Sequence, residues 1–143
     1  MTTLHYPSVS AARDNIKQIL DAAERGQVVS VERNAHRTAV VDATRLQAFF
    51  SATVSPNAEI RQEDGAWVIT MPGRPIAAEA SSYEGALAEI IDALREYAAD
   101  WNDHLLTAPN HQQNWGLVQL IAYSTDEQLR AWLTTAPSTP PSE

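Results

Sequence analysis

The sequence predicts an α/β (α+β) fold in which a β-α-β-β-α unit is followed by a β-β-β-α unit with extra C-terminal helices. Three observations lead to this prediction. Short β-branched runs alternate with longer stretches whose apolar residues recur every three or four positions, the period of an amphipathic helix. An Asp-Gly pair stands between two of the short runs, as in a hairpin. Residues 51–58, SATVSPNA, have neither period and mark the boundary between the units.

The first unit, residues 1–52, opens with a short strand at residues 4–6, because Pro7 disfavours a helix at the residue before it. A helix is predicted over residues 10–25, and Gly26 ends it as a C-cap. The apolar positions of this helix are spaced by three and four residues and predict one buried face, formed by Ile16, Ile19, Leu20 and Ala23.

A β-hairpin is predicted next, with the basic stretch ERNAHR, residues 32–37, at its tip. Valines at 28, 29 and 31 lead into the tip, and residues 39–41, AVV, lead out of it. Asn34 and Ala35 are expected to form the turn, since Asn tolerates a positive φ better than most residues. A second, shorter helix carrying Leu46, Phe49 and Phe50 completes the unit.

The second unit, residues 58–133, begins with a predicted hairpin. Its strands cover residues 58–62 and 66–71, and the turn contains Asp-Gly, a strong signal for a two-residue hairpin loop. The stretch PGRP makes the next turn, and a third strand follows at residues 76–80.

The longest predicted helix follows this third strand. Its apolar residues repeat at spacings of three and four from Tyr83 to Leu105, about six turns. Arg95 is the one cation among the acidic residues of the opposite face, which are Glu84, Glu89, Asp92, Glu96, Asp100 and Asp103. This acidic face is either a solvated surface or a docking surface for a basic partner.

Two short helices are predicted after Pro109. Trp115, Val118 and Ile121 indicate the first, and the cap candidates and first-turn acids of residues 124–127 indicate the start of the second. Residues 134–143, TTAPSTPPSE, have the composition of a loose tail that does not pack.

The charge is unevenly distributed along the chain. Residues 1–50 carry six cations and five acids, whereas residues 51–143 carry four cations and thirteen acids, giving the net charge of -8. Such asymmetry suggests two partners of opposite charge, although an acidic surface also serves solubility alone. The absence of cysteine excludes disulfides and thiol chemistry. Neither a signal peptide nor a membrane span is recognisable, so a cytoplasmic protein without a membrane partner is expected.

Catalytic motifs are scarce in this sequence. Neither GxSxG nor a phosphate-binding glycine loop occurs. Asp100 and His104 lie one helical turn apart, with His111 nearby, and are the best candidates for a metal site. Such pairs are common by chance on an acidic helix, so we expect no enzyme activity, no cofactor and no metal; an enzyme using this region remains the least favoured alternative.

The cations of the first unit are the best candidates for binding nucleic acid. Arg13 and Lys17 lie one turn apart on the predicted helix, and Arg33 and Arg37 flank the hairpin turn. These cations can hold phosphate oxygens while Asn34 reaches a base edge. A twofold dimer would double the cations and present two half-sites. The alternative is that these arginines only make an exposed hairpin soluble.

Residues 8–41, SVSAARDNIKQILDAAERGQVVSVERNAHRTAVV, resemble the N-terminal module of prevent-host-death (Phd/YefM) antitoxins. Residues 13–15 stand at the Arg-x-Asn position of that family, Gly26 at the end of its helix and residues 33–37 at its basic turn. The turn departs from the family pattern by Asn, Ala and His in place of Arg, Gly and Lys, which leaves a weaker positive patch. The resemblance implies an antitoxin that dimerises, binds its own operator DNA and neutralises a toxin.

Residues 59–98 resemble the HicB-like antitoxin domain, with two strands around a glycine turn, a Pro-Gly loop, a third strand and a helix. The stretch SSYEGAL, residues 81–87, carries the helix signature of that domain. This resemblance implies that the toxin is a small basic ribonuclease-like protein, whose RNA-binding surface the acidic half would occupy.

The sequence therefore predicts an antitoxin of a bacterial type II toxin-antitoxin system, a homodimer or higher even oligomer that represses its own transcription by binding operator DNA. The predicted DNA-binding residues are Arg13, Lys17, Arg33, Asn34 and Arg37. The predicted toxin-binding residues are Glu84, Glu89, Asp92, Glu96, Asp100 and Asp103. The alternative function is a protein-interaction module that does not bind DNA.

Overall fold

The computed structural model describes residues 4–135 and has the predicted α/β fold, with helices and two three-stranded sheets. The chain divides into two compact units, Met1–Ala48 and Phe49–Glu143. Within residues 4–135, no helix is long and apolar enough to cross a lipid bilayer.

The first unit builds its sheet in the order β1-β2-β3. Its elements are β1 (Leu4–Tyr6), α1 (Val9–Asp14), α2 (Ile16–Glu24), β2 (Val29–Arg33), β3 (His36–Val40) and α3 (Ala43–Thr53), the last of which contains the division. Strand β1 is parallel to β2, and β2 is antiparallel to β3. The helices and one face of the sheet enclose a small core of Ala12, Ile19, Ala22 and Val29, against which Leu4, Tyr6, Val31 and Val40 pack.

The helix predicted over residues 10–25 is two helices in the structure, because the helical conformation is interrupted at Asn15. This residue has φ -125° and ψ 25°, outside the helical range, and its Nδ2 donates to the Ala11 carbonyl at 2.8 Å. Asparagine side chains compete in this way with helical backbone hydrogen bonds, which explains the break. Ser8 caps α1 by accepting from the Ala11 N–H at 3.1 Å.

The predicted C-cap at Gly26 closes α2. Gly26 has φ +94°, and its N–H donates to the Ala23 carbonyl at 2.9 Å, while the Gln27 N–H donates to the Ala22 carbonyl at 3.0 Å. This pair of hydrogen bonds is a Schellman motif, which requires the left-handed conformation that glycine adopts without strain. The Arg45 guanidinium lies over Gly26, where a Cβ would come within 2.9 Å of its Cζ.

The second unit packs helices on one face of an antiparallel sheet of order β4-β5-β6. Its elements are β4 (Glu59–Glu63), β5 (Ala66–Thr70), β6 (Ala77–Ala80), α4 (Tyr83–Asp100), a π-helical turn (Trp101–Leu105), a 3-10 turn (Gln112–Asn114), α5 (Trp115–Tyr123) and α6 (Asp126–Thr134). The largest side chains with almost no exposure in this unit are Ile69, Met71, Leu87, Ile90, Leu94, Leu117, Leu120, Ile121 and Leu129.

The long predicted helix is α-helical only to Asp100 and widens into the π-helical turn beyond it. Trp101, at the start of this turn, is buried, and its indole Nε1 donates to the His111 carbonyl at 2.9 Å. Ser82 caps α4, and its hydroxyl accepts from the Gly85 N–H at 3.0 Å.

The last helix, α6, begins with a capping box between Thr125 and Gln128, in the region where the sequence predicts its start. Arg95 of α4 connects α4 to the start of α6, because its Nη2 donates to the Ser124 carbonyl at 2.8 Å and to Asp126 Oδ1 at 2.8 Å. The helix continues to Thr134, so it includes the first residue of the predicted tail. The rest of that tail, beyond Thr135, lies outside the described residues.

Candidate functional site

The basic hairpin has the turn that the sequence predicts. Asn34 and Ala35 have φ values of 50° and 65°, so both adopt the left-handed conformation of a two-residue type I′ turn. Asparagine is well suited to this conformation, whereas alanine is strained in it. The tight turn makes the tip a narrow two-stranded ribbon.

Arg33 and Arg37 leave this ribbon on opposite faces. Arg33 lies opposite His36 in the β2–β3 register, and Arg37 lies opposite Glu32 at the neighbouring position. Because successive side chains of a strand alternate between faces, the two arginines point to opposite sides of the sheet. Both are exposed, and within residues 4–135 neither makes an ion pair.

The two predicted cations of the helices are partly neutralised. Arg13 Nε lies 3.7 Å from Asp14 Oδ1, and Lys17 Nζ lies 2.8 Å from Asp21 Oδ2. The hydrogen bond to Asp21 raises the pKa of Lys17 above its usual value and lowers the pKa of Asp21. The break at Asn15 also places Arg13 and Lys17 on different helices. The free positive charge at the predicted nucleic-acid site therefore comes mainly from the hairpin.

The uncovered face of the first sheet carries polar side chains that no sequence motif indicates. His5 Nδ1 lies 2.7 Å from Ser30 Oγ, and these residues line a shallow depression together with Glu32 and Arg37. Their proximity depends on the parallel pairing of β1 with β2, which places His5 opposite Ser30. No local sequence signal indicates that pairing.

The predicted buried face of the first helix is only partly buried. Ile19 and Ala23 have almost no exposed surface, but Ile16 and Leu20 of α2 are 55% and 50% exposed. The small sheet covers one side of α2, and Ile16 and Leu20 lie beside that side. Other large apolar side chains of this unit are also exposed, namely Val9, Val28 and Val41.

The six acids predicted on one face of α4 do not form one group. Glu84 is bound to Arg130 of α6, with Nη2 donating to Oε1 at 2.7 Å, and this bond lowers the pKa of Glu84. Asp103 lies in the π-helical turn, 3.3 Å from Nδ1 of His104. The remaining four have spacings of three and four on one side of α4; this acidic stripe consists of Glu89, Asp92, Glu96 and Asp100.

The acidic stripe is exposed, and within residues 4–135 none of its carboxylates makes an ion pair. Arg95, the cation nearest to it in sequence, is engaged by Asp126. The stripe is thus a row of unneutralised negative charge that can attract a cationic surface.

The region around Asp100 does not assemble as a metal site. His111 Nδ1 is 2.8 Å from the Tyr97 hydroxyl, which also accepts a hydrogen bond from Asn114 Nδ2 at 2.8 Å. His104 faces Asp103 instead. Among residues 4–135, no three His, Asp or Glu side chains converge as metal ligands.

The comparisons with known proteins agree on one class of protein. Residues 1–134 match a family model described as PHD-like, an antitoxin of toxin-antitoxin systems of the RelE/RelB type. The fold is similar to the crystal structure of an antitoxin part of a candidate toxin/antitoxin system from Syntrophomonas wolfei subsp. wolfei. That similarity has a TM-score of 0.77 at 21% sequence identity and covers 92% of this chain and 96% of the other. None of the curated proteins matches this chain.

Proposed function

The chain belongs to the PHD-like family of antitoxins of RelE/RelB-type toxin-antitoxin systems, and from this membership we propose a dimeric antitoxin that binds operator DNA and neutralises a basic toxin. The observation that carries the proposal is the separation of unpaired charge between an arginine-bearing hairpin in the first unit and an acidic stripe in the second. The protein acts in this proposal by binding and not by catalysis.

The proposed DNA-binding and dimerisation module, Phd/YefM-like in kind, covers residues 1–52. A two-stranded ribbon fits the major groove of DNA. Because Arg33 and Arg37 lie on opposite faces of the ribbon, they can reach phosphates on the two walls of that groove. Asn34 at the tip is then placed to read a base edge, for which adenine is the usual partner of an asparagine side chain. Arg13 and Lys17 supply supporting phosphate contacts once their exposed pairs open.

Dimerisation is supported by the exposed apolar side chains of the first unit. Ile16 and Leu20 would become buried against a second copy, which would stabilise the pair by removing apolar surface from water. The pair of copies would also double the number of arginines that meet the DNA.

The proposed toxin-binding domain covers residues 58–133 and is HicB-like. The acidic stripe of α4 would face the basic surface of a small ribonuclease-like toxin, because such charge complementarity accelerates encounter and orients the partners. Asp103 extends the negative region beyond Asp100. Glu84 could bind the toxin only if its ion pair with Arg130 broke.

A mobility-shift experiment on the DNA upstream of the protein's own gene tests operator binding. Wild-type protein should retard this DNA, and the retardation should weaken as salt rises. The double variant Arg33→Ala/Arg37→Ala should lose most of the affinity. Each phosphate contact removed should reduce the slope of log K against log salt concentration by about 0.9.

The matched control is Arg25→Ala, which removes a cation of the same unit that lies outside the hairpin. It should bind with a salt slope close to that of the wild type. No retardation by the wild type would favour the alternative, a protein-interaction module without a DNA role. Equal retardation by the wild type and by the hairpin double variant would place the DNA contact outside the hairpin. The hairpin itself carries only two arginines, Arg33 and Arg37, and they lie on opposite faces, which is the observation that favours this alternative.

A further inference from the structure

Strand β4 is an edge strand whose outer side is open. It pairs only with β5, and all five of its residues are exposed. In the described part of the chain, no turn, loop or cap residue forms a backbone hydrogen bond with β4. The backbone groups on this outer side are therefore available to another strand.

The hairpin register identifies the open groups. Asp64 and Gly65 have φ values of 50° and 79°, so they form a two-residue type I′ turn, and the adjoining pair of Glu63 and Ala66 exchanges both hydrogen bonds. Because bonded and non-bonded pairs alternate along an antiparallel ladder, Ile60 and Gln62 occupy the non-bonded positions. Their N–H and C=O groups point away from β5, towards the open edge.

A cavity lies beside the same strand. It has a volume of about 270 Å³, and its apolar lining includes Ile60, Pro56, Tyr83 and Leu133. Ile60 is directly opposite Ile69, so its side chain lies on the helix-covered face of the sheet, where it remains 38% exposed. The volume of the cavity is at the lower limit of the about 300–1,000 Å³ of small-molecule pockets, and an apolar side chain fits into it.

The walls of the cavity are held in place by hydrogen bonds from outside it. Arg74 Nη1 donates to the carbonyls of Ser55 and Pro56 at 3.0 and 3.2 Å, and Trp132 Nε1 donates to the Val54 carbonyl at 2.7 Å. These bonds fix the chain that precedes β4. Because the cavity is already formed, little free energy is spent on reorganising the protein when a side chain enters it.

We propose that the edge of β4 is a docking site for an extended segment of the toxin, which adds a fourth strand to the sheet. The segment would bond to Ile60 and Gln62 through its backbone, and the residue opposite Ile60 would place an apolar side chain in the cavity. Strand addition of this kind takes affinity from backbone bonds and specificity from side-chain pockets. This proposal rests on the proposed function, because it assumes that the second unit holds the toxin.

The charges of β4 favour a basic partner over a second copy of this chain. If two copies of β4 paired antiparallel about Arg61, Glu59 would face Glu63 and Arg61 would face its counterpart. Like charges directly opposite each other destabilise a strand pair. Glu59 makes no ion pair among residues 4–135 and can receive a cation of the partner.

The test compares Gln62→Pro with Gln62→Ala. Proline removes the outward N–H but leaves every hydrogen bond to β5, whereas alanine keeps that N–H and serves as the matched control. The probe is the protein encoded by the reading frame next to this gene, with its dissociation constant measured by calorimetry. Gln62→Pro should weaken binding by about tenfold or more, and Gln62→Ala should bind like the wild type.

Amide hydrogen exchange gives an independent measurement on the unmodified protein. In the free protein, the amides of Glu59, Arg61 and Glu63 should be protected by β5, while those of Ile60 and Gln62 exchange freely. Complex formation should protect Ile60 and Gln62. If Gln62→Pro does not fold, Ile60→Lys, which places a charge at the cavity, should weaken binding while leaving all backbone donors in place.

Three results would overturn the docking site. Equal binding by Gln62→Pro and Gln62→Ala would remove it while leaving the antitoxin function intact. Protection of Ile60 and Gln62 that depends only on the concentration of this chain would show self-pairing. If the wild type does not bind the neighbouring protein, the proposed toxin neutralisation by the second unit fails, and the docking site fails with it.

Discussion

At the scale of single residues, the acids of α4 differ in what they contact. Glu84 holds Arg130, 46 positions later in the chain, through a hydrogen bond at 2.7 Å. Glu89 lies on the same helix and has no ion-pair partner among residues 4–135. The first carboxylate therefore ties α4 to α6, while the second is free to meet another molecule.

The Glu84–Arg130 pair predicts a pH dependence of stability. Its hydrogen bond lowers the pKa of Glu84 below the ordinary value of 4.5, so the pair stabilises the folded state fully above that pH. The contribution is lost as pH falls through the lowered pKa of the folded state. Glu84→Gln should thus reduce the free energy of unfolding at pH 7, and its difference from the wild type should shrink below pH 4.5.

Urea denaturation across this pH range measures the effect. Glu89→Gln is the matched control, because it removes the same charge from the same helix without breaking an ion pair. A loss of stability at pH 7 as large for Glu89→Gln as for Glu84→Gln would contradict the structural role given to the pair. Both side chains are exposed, so the effects are expected to be small.

At the scale of elements, α2 has two apolar sides with different surroundings. Ile19 and Ala22 pack in the core of the first unit, whereas Ile16 and Leu20 remain about half exposed. The break at Asn15 separates α2 from α1, so each short helix packs on the sheet by itself. The exposed side of α2 is therefore the best place in this unit for a second copy.

The double variant Ile16→Glu/Leu20→Glu should be monomeric where the wild type is a dimer. Fully burying such a side chain contributes about 1.5–3 kcal/mol, and these two are half exposed, so their loss should raise the dimer dissociation constant at least about tenfold. Buried carboxylates would weaken the dimer further. Sedimentation velocity over a range of concentrations measures this change.

Leu106→Glu is the control for this prediction. Leu106 is 51% exposed but belongs to the second unit, so its charge should leave the dimer unchanged. Circular dichroism should report an unchanged fold in both variants. Dimers that persist in the Ile16→Glu/Leu20→Glu variant would place the interface elsewhere.

At the scale of the whole molecule, charge divides the chain into two halves. The first 50 residues carry nearly balanced charge, and the acids exceed the cations by nine in the rest. The acidic stripe concentrates part of this excess on one side of α4. Long-range attraction of this kind acts mainly on the rate of association and falls as salt screens it.

Neutralising part of the stripe should therefore slow toxin binding more than it speeds dissociation. Asp92→Asn/Glu96→Gln should reduce the association rate constant several-fold, which is part of the increase of about 10–10³-fold that full electrostatic steering supplies. The dependence of that rate on salt should also weaken. Stopped-flow mixing with the protein from the neighbouring reading frame measures both quantities.

The control variant Glu24→Gln/Glu127→Gln removes the same net charge from outside the stripe. Its association rate should stay closer to that of the wild type. If both variants slow association equally, the net charge of the protein governs the encounter, and the stripe has no special part in it.

Local signals in the sequence determined much of the fold. The turn at Asn34-Ala35, the hairpin at Asp64-Gly65, the caps at Gly26 and Ser82 and the start of α6 follow from interactions between residues within a few positions of one another. Such interactions depend on residue type and spacing, which the sequence displays directly. The α/β class and the family resemblance to antitoxins rest on the same kind of information.

Only the tertiary structure decided which of these residues meet or remain free. The strand register places Arg33 and Arg37 on opposite faces, and packing leaves Ile16 and Leu20 exposed. The fold also brings Arg130 to Glu84 and leaves the outer side of β4 open. These features depend on pairings between residues far apart in the chain, and the free energy of such pairings depends on burial and geometry that no local spacing encodes.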